Sequence, residues 1–403
     1  MNTEKKILVI SNYPILEPLH GGQKRVAAIV KEYKKVFSEV KFVAIFVREQ
    51  YPIYSKDDIY LTGEWAEKIK GNYLTSDIEI GKAMVESPDT RRKIEKLLIL
   101  FQPDIIQVEQ VFPFIGLKVI LKDLKIHPKI VYSSQNIEAP MRREIMEISG
   151  AKKEDVREAF SVINDTEIYL AKNADLLTVV SKSDGDCYLS NGAKKYVLAM
   201  NGTGPIISNS NAKLYWKKYF QQRFVKKVAL FVGSGHVPNL FGLTNMVGFR
   251  VGFIPSDSKI VIVGSVGQAL SDHFDKEDIL NSPFWRRVTN LGVIKREPLD
   301  GLLEYVDVIL LPIIKGGGSN LKTAEAILSG KKIVATSFAF RGYEQFLKLP
   351  NIWIADTHDD FRKAVSEAFN TPTKKRTAED VKLANNVKWD SSLKGMIAEV
   401  AKL

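Results

Sequence analysis

The segment that determines the fold class is residues 308–336, VILLPIIKGGGSNLKTAEAILSGKKIVAT. An apolar run, a proline, three glycines, a helical stretch ended by Gly330 and a second apolar run predict strand, loop, helix and strand in succession. Glycines let the backbone approach a ligand closely, and either Ser319 or Asn320 is expected to cap the helix. Because a helix N-terminus favours an anion, the segment predicts an anion site in an α/β unit.

Two charged side chains follow these glycines on the predicted helix. Lys322 lies one turn into the helix, where it adds a full positive charge. Glu325 follows three residues later on roughly the same face, where a carboxylate is suited to accept two hydrogen bonds from a ribose diol. The alternative interpretation is a glycine-rich turn, a capped helix and a surface Lys–Glu pair, because a glycine loop alone is a weak motif.

The same alternation of strands and helices extends in both directions along the chain. At 403 residues the chain exceeds what one hydrophobic core usually supports, so two domains are expected. Strands are predicted at 6–12, 40–47, 104–108, 129–133, 175–180 and 196–199, then at 227–232, 259–263, 307–311 and 332–335. Intervening helical stretches predict parallel sheets covered on both faces. Turn-forming residues 201–205 mark the join between two α/β domains, at 1–200 and 205–385.

Charge and cysteine content limit the class of protein. Lys and Arg outnumber Asp and Glu by 58 to 47, and residues 201–250 contain seven basic residues and no acidic one. This asymmetry favours an anionic partner for the second half, which is a phosphate-bearing ligand, a membrane surface or nucleic acid. Cys187 is the single cysteine, and no uninterrupted apolar stretch reaches about 18 residues. We therefore expect a cytoplasmic protein, with any membrane contact peripheral and at the inner face.

Taken together, the motifs resemble a known family. Residues 308–336 resemble the signature of the retaining glycosyltransferases of family 4, which have the GT-B fold of two facing Rossmann-like domains with a cleft between them. Four further stretches match that family in the expected order. They are Lys6–Arg25 with Gly21-Gly22 after the first strand, Asn173–Asp184, Ala199–Gly202 before the second domain, and Phe231–Ser234 followed by Pro238-Asn239.

The resemblance implies an activity and a division of labour. The reaction is expected to transfer a sugar from a nucleoside-diphosphate sugar to an acceptor hydroxyl of a glycan or lipid-linked acceptor, with retention. The first domain is expected to bind the acceptor and the second the donor, and a C-terminal helix within 386–403 is expected to pack back on the first domain. In the second domain, Lys322 and the loop amides would stabilise the leaving diphosphate, Glu325 would hold the ribose, and Ile294 would contact the base. The full set of expected donor residues is Gly21, Gly22, Gly233, Ser234, Ile294, Gly316, Gly317, Gly318, Ser319, Asn320, Lys322 and Glu325.

Two departures from the family pattern concern the donor. The family often has a glutamate that contacts the donor sugar where this chain has Gly317. Many relatives also carry an Arg and a Lys after the Phe-Val-Gly strand, where this chain has Ser234, Gly235 and His236. Lys322 and the glycine-loop amides are therefore expected to carry more of the phosphate binding, with Arg25 as a helper across the cleft.

Candidates in the first half follow its predicted strands. The Gly21-Gly22 amides could meet a phosphate or sugar hydroxyl, and Arg25 is either a bidentate diphosphate ligand or a solvated residue after a tight turn. Glu109, Gln135, Asn136 and Arg142 are expected on the acceptor or sugar side. Gln135 stands where the family often has a histidine, so it can hydrogen-bond but cannot act as a base. Glu109 is either a general base or an acceptor-binding residue, or else a plain helix-capping or salt-bridged glutamate.

The remaining features predict partners. The five histidines show no metal-ligand spacing and no Asp-x-Asp triplet is present, so neither a metal nor another cofactor is expected. The basic, aromatic segment Lys213–Lys227 either lies on an anionic membrane or packs its aromatic side chains inward as a linker helix. No nucleic-acid recognition motif accompanies the charge. Two other functions remain open, namely a nucleotide-sugar epimerase on the same fold and a non-catalytic nucleotide-sugar-binding protein.

Overall fold

The computed structural model describes residues 3–71, 73–274, 283–317 and 319–403. The chain divides into two compact units. The first unit comprises Met1–Asn201 together with Ser392–Leu403, and the second comprises Gly202–Ser391. Each unit is built on its own parallel sheet, which confirms the predicted α/β class.

The first unit contains a seven-stranded sheet among the described residues, and its neighbouring strands are all parallel. The strands are β1 (Thr3–Ser11), β2 (Phe37–Val47), β3 (Ile59–Leu61), β4 (Ile105–Glu109), β5 (Lys129–Ser133), β6 (Leu176–Val179) and β7 (Val197–Leu198). They lie in the order β3-β2-β1-β4-β5-β6-β7. Ile7, Leu8, Val9 and Ile10 of β1 are all buried, since helices cover both faces of a parallel sheet.

The second unit contains a six-stranded parallel sheet in its described part, in the order β10-β9-β8-β11-β12-β13. Its strands are β8 (Lys227–Val232), β9 (Ser258–Val263), β10 (Val288–Asn290), β11 (Val308–Leu311), β12 (Lys332–Ala335) and β13 (Ile352–Ile354). The two outer strands, β10 and β13, were not predicted. Each has only three residues, which is too short for a clear alternating or apolar pattern.

Helices connect the strands in both units. In chain order they are α1 (Gly21–Tyr33), α2 (Glu64–Gly71), α3 (Ser76–Glu86), α4 (Pro88–Phe101), α5 (Phe112–Leu124), α6 (Glu138–Ile148), α7 (Lys153–Asn173), α8 (Lys182–Ser190), α9 (Ser210–Gln221), α10 (Val237–Met246), α11 (Val266–Phe274), α12 (Pro283–Arg287), α13 (Arg296–Tyr305), α14 (Leu321–Ser329), α15 (His358–Asn370), α16 (Ala378–Asn385), α17 (Trp389–Ser392) and α18 (Lys394–Val400). Helix α18 packs against β6 and β7 of the first sheet. Within the described residues, none of these helices has the length and apolar character needed to cross a membrane.

The glycine pair near the N-terminus belongs to a helix, which corrects the predicted glycine loop. Helix α1 begins at Gly21, the first residue of the pair. His20 caps it: its Nδ1 accepts the Gln23 amide hydrogen at 3.4 Å, and the Gln23 side chain accepts the His20 amide hydrogen at 3.3 Å. This reciprocal pair satisfies two amides of the first turn, so the helix can begin on two glycines.

The 308–336 segment folds as predicted. Strand β11 leads into the glycine loop, and Asn320 is the residue that caps α14, because its Oδ1 accepts the Lys322 amide hydrogen at 3.2 Å. Gly330 ends the helix with a φ of 71°, a left-handed conformation that glycine adopts without a steric cost. Parallel strands place all their carboxyl ends at one edge of a sheet. The glycine loop therefore lies at the carboxyl edge of the second sheet, beside the loop that follows β8.

Candidate functional site

Close backbone packing shapes the carboxyl edge of the second sheet. A Cβ added at Gly242 would clash with the Pro312 carbonyl oxygen, so α10 approaches the chain entering the glycine loop at a distance that only glycine permits. A Cβ at Gly264 would likewise clash with the Gly233 carbonyl, where the loops after β8 and β9 meet. These contacts bring the β8–α10 loop, the α10 N-terminus and the glycine loop to one side of the unit.

Lys322 brings its charge to this edge. Its Nζ donates to Asn239 Oδ1 of α10 at 2.8 Å and lies 5.4 Å from the centre of the Phe231 ring. The side chain is partly buried, and burial lowers the pKa of Lys322 to about 8, while the Glu325 carboxylate acts in the opposite direction. Asn239 Nδ2 in turn donates to Ser234 O and Ser234 Oγ, each at 3.0 Å. An ammonium from α14 is thus held above the loop that follows β8.

Glu325 lies next to a cation that the sequence interpretation missed. Its side chain is 35% exposed, and its Oε1 lies 3.9 Å from Arg296 Nη1. Arg296 is the first residue of α13, and its Nε also pairs with Asp300 Oδ1 at 2.8 Å. The sequence feature that could have identified Arg296 is its position two residues after Ile294, the predicted base contact.

A cavity of about 220 Å³ adjoins this group within the second unit. Its lining includes Glu325, Arg296, Asp300 and Ser329, together with residues 203–206 of the segment after the join. Ile294 itself is partly buried in the loop after β10. Glu325 and Arg296 therefore line one cavity of the second unit, and Ile294 precedes Arg296 by two residues.

The glycine loop is open to solvent. Gly316 and Gly317 are exposed, whereas Ser319 is buried and Asn320 is partly buried. Gly316 has a φ of +129°, and a side chain there would meet no neighbouring atom, so backbone conformation alone requires glycine. Gly318 lies outside the described residues. The exposed backbone next to the capped helix provides amide hydrogens for an anion.

A buried polar cluster occupies the carboxyl edge of the first sheet. Glu109, at the end of β4, is completely buried, and its Oε2 accepts a hydrogen bond from Gln135 Nε2 at 2.9 Å. Gln135 Nε2 also donates to the Tyr13 hydroxyl at 2.8 Å. Burial raises the pKa of Glu109, against the effects of the Arg25 charge and the neighbouring amides. A Cβ at Gly22 would lie 2.7 Å from the Tyr13 hydroxyl oxygen, which explains a glycine in α1 by close packing.

The position of Arg25 argues against the predicted diphosphate contact. Its side chain is only 1% exposed, and its Nη1 donates to Ala199 O at 2.7 Å and to Asn201 Oδ1 at 3.0 Å. The guanidinium thus connects α1 by hydrogen bonds to the end of the Met1–Asn201 segment. The sequence interpretation considered a ligand contact or solvent exposure for Arg25, but not a buried position. The polar residues around it, Gln23 and Lys24, give no apolar pattern that would indicate burial.

The other acceptor-side candidates hydrogen-bond to neighbouring protein groups. Asn136 Nδ2 donates to Glu138 Oε1 at 2.9 Å. Arg142 pairs with Asp77 Oδ2 at 2.5 Å and donates to Leu74 O at 3.2 Å, and its side chain is 15% exposed. The structure therefore brings Glu109 and Gln135 into direct contact. Asn136 instead pairs with Glu138 of α6, and Arg142 pairs with Asp77 of α3.

Glu167 was not predicted and lies beneath this edge. Its carboxylate accepts the amide hydrogens of Glu138 at 2.8 Å and Ala139 at 3.0 Å, which caps the N-terminus of α6 from the neighbouring helix α7. The Tyr188 hydroxyl donates to it at 2.9 Å. Burial raises the pKa of Glu167 to about 7. No sequence motif marks this residue, because the contact joins elements far apart in the chain.

The Lys213–Lys227 segment covers most of helix α9 and the turn after it. Trp216 and Phe220 are buried, and Trp216 Nε1 donates to Pro298 O at 2.8 Å. Tyr215 and Phe224 are 58% and 87% exposed. The inward packing is therefore present, and an aromatic and basic surface remains on the outer side. Among the described residues, no group of three or more His, Cys, Asp or Glu could hold a metal ion.

No family model matches the chain, and no curated protein matches it in sequence. Several solved structures match over almost the entire chain. HepE from Anabaena in complex with UDP is 13% identical over 99% of this chain and 100% of that chain, with a TM-score of 0.67. Sucrose-phosphate synthase from Thermosynechococcus elongatus is 12% identical over 99% and 98%, with a TM-score of 0.72. A glycosyltransferase from Rickettsia africae is 14% identical over 99% and 98%, with a TM-score of 0.66. The chain therefore has the GT-B fold, with two Rossmann-like units.

Proposed function

We propose that this protein is a glycosyltransferase that uses a nucleoside-diphosphate sugar. The observation that carries the proposal is the Lys322 ammonium, which lies at the carboxyl edge of the second sheet beside an exposed glycine loop and a capped helix N-terminus. A cation and exposed backbone at such an edge suit a diphosphate. Structural neighbours of this chain were solved with UDP and with UDP-glucose, which supports a uridine diphosphate sugar as the first donor to test.

The proposed chemistry needs little from the protein beyond electrostatics. Transfer to an acceptor hydroxyl with retention is proposed to proceed on one face of the sugar, with the departing phosphate oxygen helping to remove the acceptor proton. Lys322 and the amides of the glycine loop would then stabilise negative charge that grows on the leaving diphosphate. Glu325 would hold the ribose, and Ile294 would contact the base. Because Gly317 offers no side chain to the sugar, the sugar would be held by backbone and by other groups.

We propose that the first unit presents the acceptor. The Glu109–Gln135–Tyr13 cluster is rigid and buried, so we assign it to shaping the floor of the acceptor site rather than to proton transfer. Asn136 and Arg142 lie on the loop and helix that follow β5 and are the candidates for contact with acceptor hydroxyls. A glycan or lipid-linked hydroxyl is the class of acceptor that this chemistry takes.

A binding screen and a product assay together test the proposed function. Thermal shifts are measured against UDP, GDP, ADP, TDP and their sugars, because a ligand that binds the native state stabilises it by mass action. The donor that gives the largest shift is then incubated with and without simple glycoside acceptors. Transfer, or slow donor hydrolysis, supports the proposal. Conversion of the donor sugar without an acceptor would indicate an epimerase, and binding with no turnover would indicate a non-catalytic nucleotide-sugar-binding protein.

We further propose that donor binding needs no metal ion, because Lys322 supplies a positive charge where a bridging cation would otherwise act. The test is titration of UDP into protein treated with EDTA and into untreated protein. Equal affinities support the proposal. A loss of affinity that is restored by Mg²⁺ or Mn²⁺ would refute it.

We also propose that the outer face of α9 and the turn after it contact an anionic membrane. Leu214, Tyr215 and Phe224 are exposed beside the exposed Lys217 and Lys218, and basic residues with apolar side chains between them are typical of interfacial surfaces. The attraction should be short-ranged, since screening limits it to roughly 8 Å at physiological salt.

Vesicle co-sedimentation tests this membrane contact. The combined variant Lys217→Glu plus Lys218→Glu should release the protein from anionic vesicles, and Phe224→Ser should weaken the remaining binding. Lys363→Glu, at an exposed position on α15, is the matched control for a change of charge. Equal binding by all variants, or binding to neutral vesicles alone, would remove the proposal.

A further inference from the structure

The loop that would meet the donor phosphates after β8 brings no lysine or arginine of its own. Its residues are Gly233, Ser234, Gly235 and His236. The cation at this place comes instead from α14, because Lys322 Nζ reaches Asn239 Oδ1 at 2.8 Å. Asn239 also holds the loop itself, through hydrogen bonds from its Nδ2 to both Ser234 oxygens. One amide therefore joins the Lys322 charge to the loop after β8.

The position of Asn239 is fixed from two sides. It lies in the first turn of α10, and that helix is held close to Pro312 by the contact at Gly242. Ser234 and Gly235 lie beside the loop that follows β9, since the Gly235 amide donates to Ser265 Oγ at 2.7 Å. A rigid helix thus sets where the Asn239 amide stands relative to the glycine loop. A positioned amide restricts a lysine side chain that would otherwise sample many rotamers.

The type of residue matters as much as its position. An amide oxygen accepts from the ammonium without cancelling its charge, whereas a carboxylate at the same place would form an ion pair. A neutral partner leaves the whole positive charge available to an anionic ligand. Burial lowers the pKa of Lys322 although the Glu325 carboxylate acts in the opposite direction, and a carboxylate in place of the Asn239 amide would raise this pKa further.

We infer that Asn239 is a positioning residue of the donor site, whose amide holds the Lys322 ammonium above the Ser234 loop so that a diphosphate bound there receives its positive charge from α14. The inference rests on the proposed function. Among the described residues, the groups that act on the ammonium are the Glu325 carboxylate on its own helix, the Asn239 amide from α10 and the Phe231 ring from β8. Arg296 of α13 acts on the Glu325 carboxylate in turn.

Two substitutions at this position should move Lys322 in opposite directions. Asn239→Asp supplies a carboxylate and should raise the Lys322 titration midpoint from about 8, whereas Asn239→Leu removes the acceptor and should lower it. The midpoint is measured by NMR of the lysine Cε–Hε signals, and the Lys322 signal is assigned by its absence in Lys322→Arg. UDP affinity at pH 8 is measured by calorimetry on the same proteins.

Both variants should bind UDP more weakly. Asn239→Leu should lose roughly tenfold or more in affinity, the usual effect of removing a hydrogen bond to a charged group. Asn239→Asp should lose at least as much, because its carboxylate neutralises the ammonium and repels the phosphates. Asn245→Asp and Asn245→Leu are the matched controls, since Asn245 lies exposed on the same helix and should change neither quantity.

The outcomes separate this inference from the function it rests on. A Lys322 midpoint that is equal in the wild type and in both Asn239 variants would overturn the positioning role, because a residue that only stabilises the first turn of α10 would not move it. Shifted midpoints with unchanged UDP affinity would also overturn the role, while the proposed function survives. Failure of the wild-type protein to bind any nucleoside diphosphate would overturn the proposed function, and with it the role at the donor site.

Discussion

Replacing Lys322 by Met tests the donor site most directly, because the structure gives the size of the effect. Burial lowers the pKa of this lysine from 10.5 to about 8. At about 1.4 kcal/mol for each unit of pKa, holding the charge in the folded protein costs about 3 kcal/mol relative to the unfolded chain. This cost is fully present below pH 8 and declines as the pH rises from 8 to 10.5, since the unfolded chain binds the proton more tightly.

A diphosphate that meets the ammonium should reverse this shift. At pH 8 about half of the free protein carries a neutral Lys322, so binding of UDP should take up roughly half a proton per molecule. Calorimetry in two buffers with different ionisation enthalpies measures that uptake. Lys322→Met should abolish the uptake. Lys332→Met is the matched control and should keep the proton uptake. Burial also lowers the pKa of Lys332, but its ammonium donates to the Ala368 and Thr371 carbonyls at the opposite edge of the sheet.

Turnover gives the second measurement. If Lys322 neutralises charge that grows on the leaving group, Lys322→Met should lower kcat by roughly a hundredfold, equivalent to about 3 kcal/mol, and should raise the donor KM much less. Melting temperature shows whether the variant is folded. Near-normal turnover of Lys322→Met at saturating donor would refute the reasoning, as would proton uptake equal to that of the wild type. The diphosphate assignment would then have to move to another part of the glycine loop.

Three further variants probe the neighbouring assignments. Glu325→Gln should mainly raise the donor KM, because the ribose does not change during the reaction, and a fall in kcat with an unchanged KM would contradict this role. Arg25→Met should destabilise the first unit by about 1.5–3 kcal/mol without changing UDP affinity, because it removes the charged donor to Ala199 O and Asn201 Oδ1. Lost affinity at an unchanged melting temperature would restore the predicted diphosphate contact. The pKa of Glu167 in the folded protein is about 7, against 4.5 in the unfolded chain. The free energy of unfolding of the wild-type first unit should therefore fall by up to about 3 kcal/mol as the pH rises from 4.5 to 7. Glu167→Gln should make this free energy depend less on pH. Denaturant midpoints at pH 5 and pH 8 measure the difference, and parallel slopes in the two proteins would contradict it.

The sequence predicted the fold where signals are local and strong. Strand β11, the capped helix α14 and the Gly330 stop each depend on neighbours within a few residues, and all three are present. The three short edge strands β3, β10 and β13 were missed, since three residues give too little periodicity. The start of α1 at Gly21 has no clear sequence signal, because its first turn carries glycines and polar side chains rather than an apolar face.

Site residues were harder to predict for a different physical reason. Lys322 was singled out from its place on a helix, but its partner Asn239 is 83 residues away in the chain and no spacing rule connects them. Arg25 was expected either to bind a diphosphate or to be solvated, whereas its Nη1 donates to Ala199 O and Asn201 Oδ1 inside the unit. Sequence patterns indicate which face a side chain occupies, and long-range hydrogen bonds decide what it touches.

The return of the last residues to the first unit has a consequence for biosynthesis. Helix α18 packs on β6 and β7, yet the ribosome adds it only after the whole of Gly202–Ser391 has been made. At roughly 5–20 residues per second, the first unit waits on the order of ten to forty seconds with that face of its sheet uncovered. During this interval the nascent chain exposes apolar strands that other nascent chains or chaperones can reach. Translation speed through the second unit therefore sets how long the first is vulnerable to aggregation.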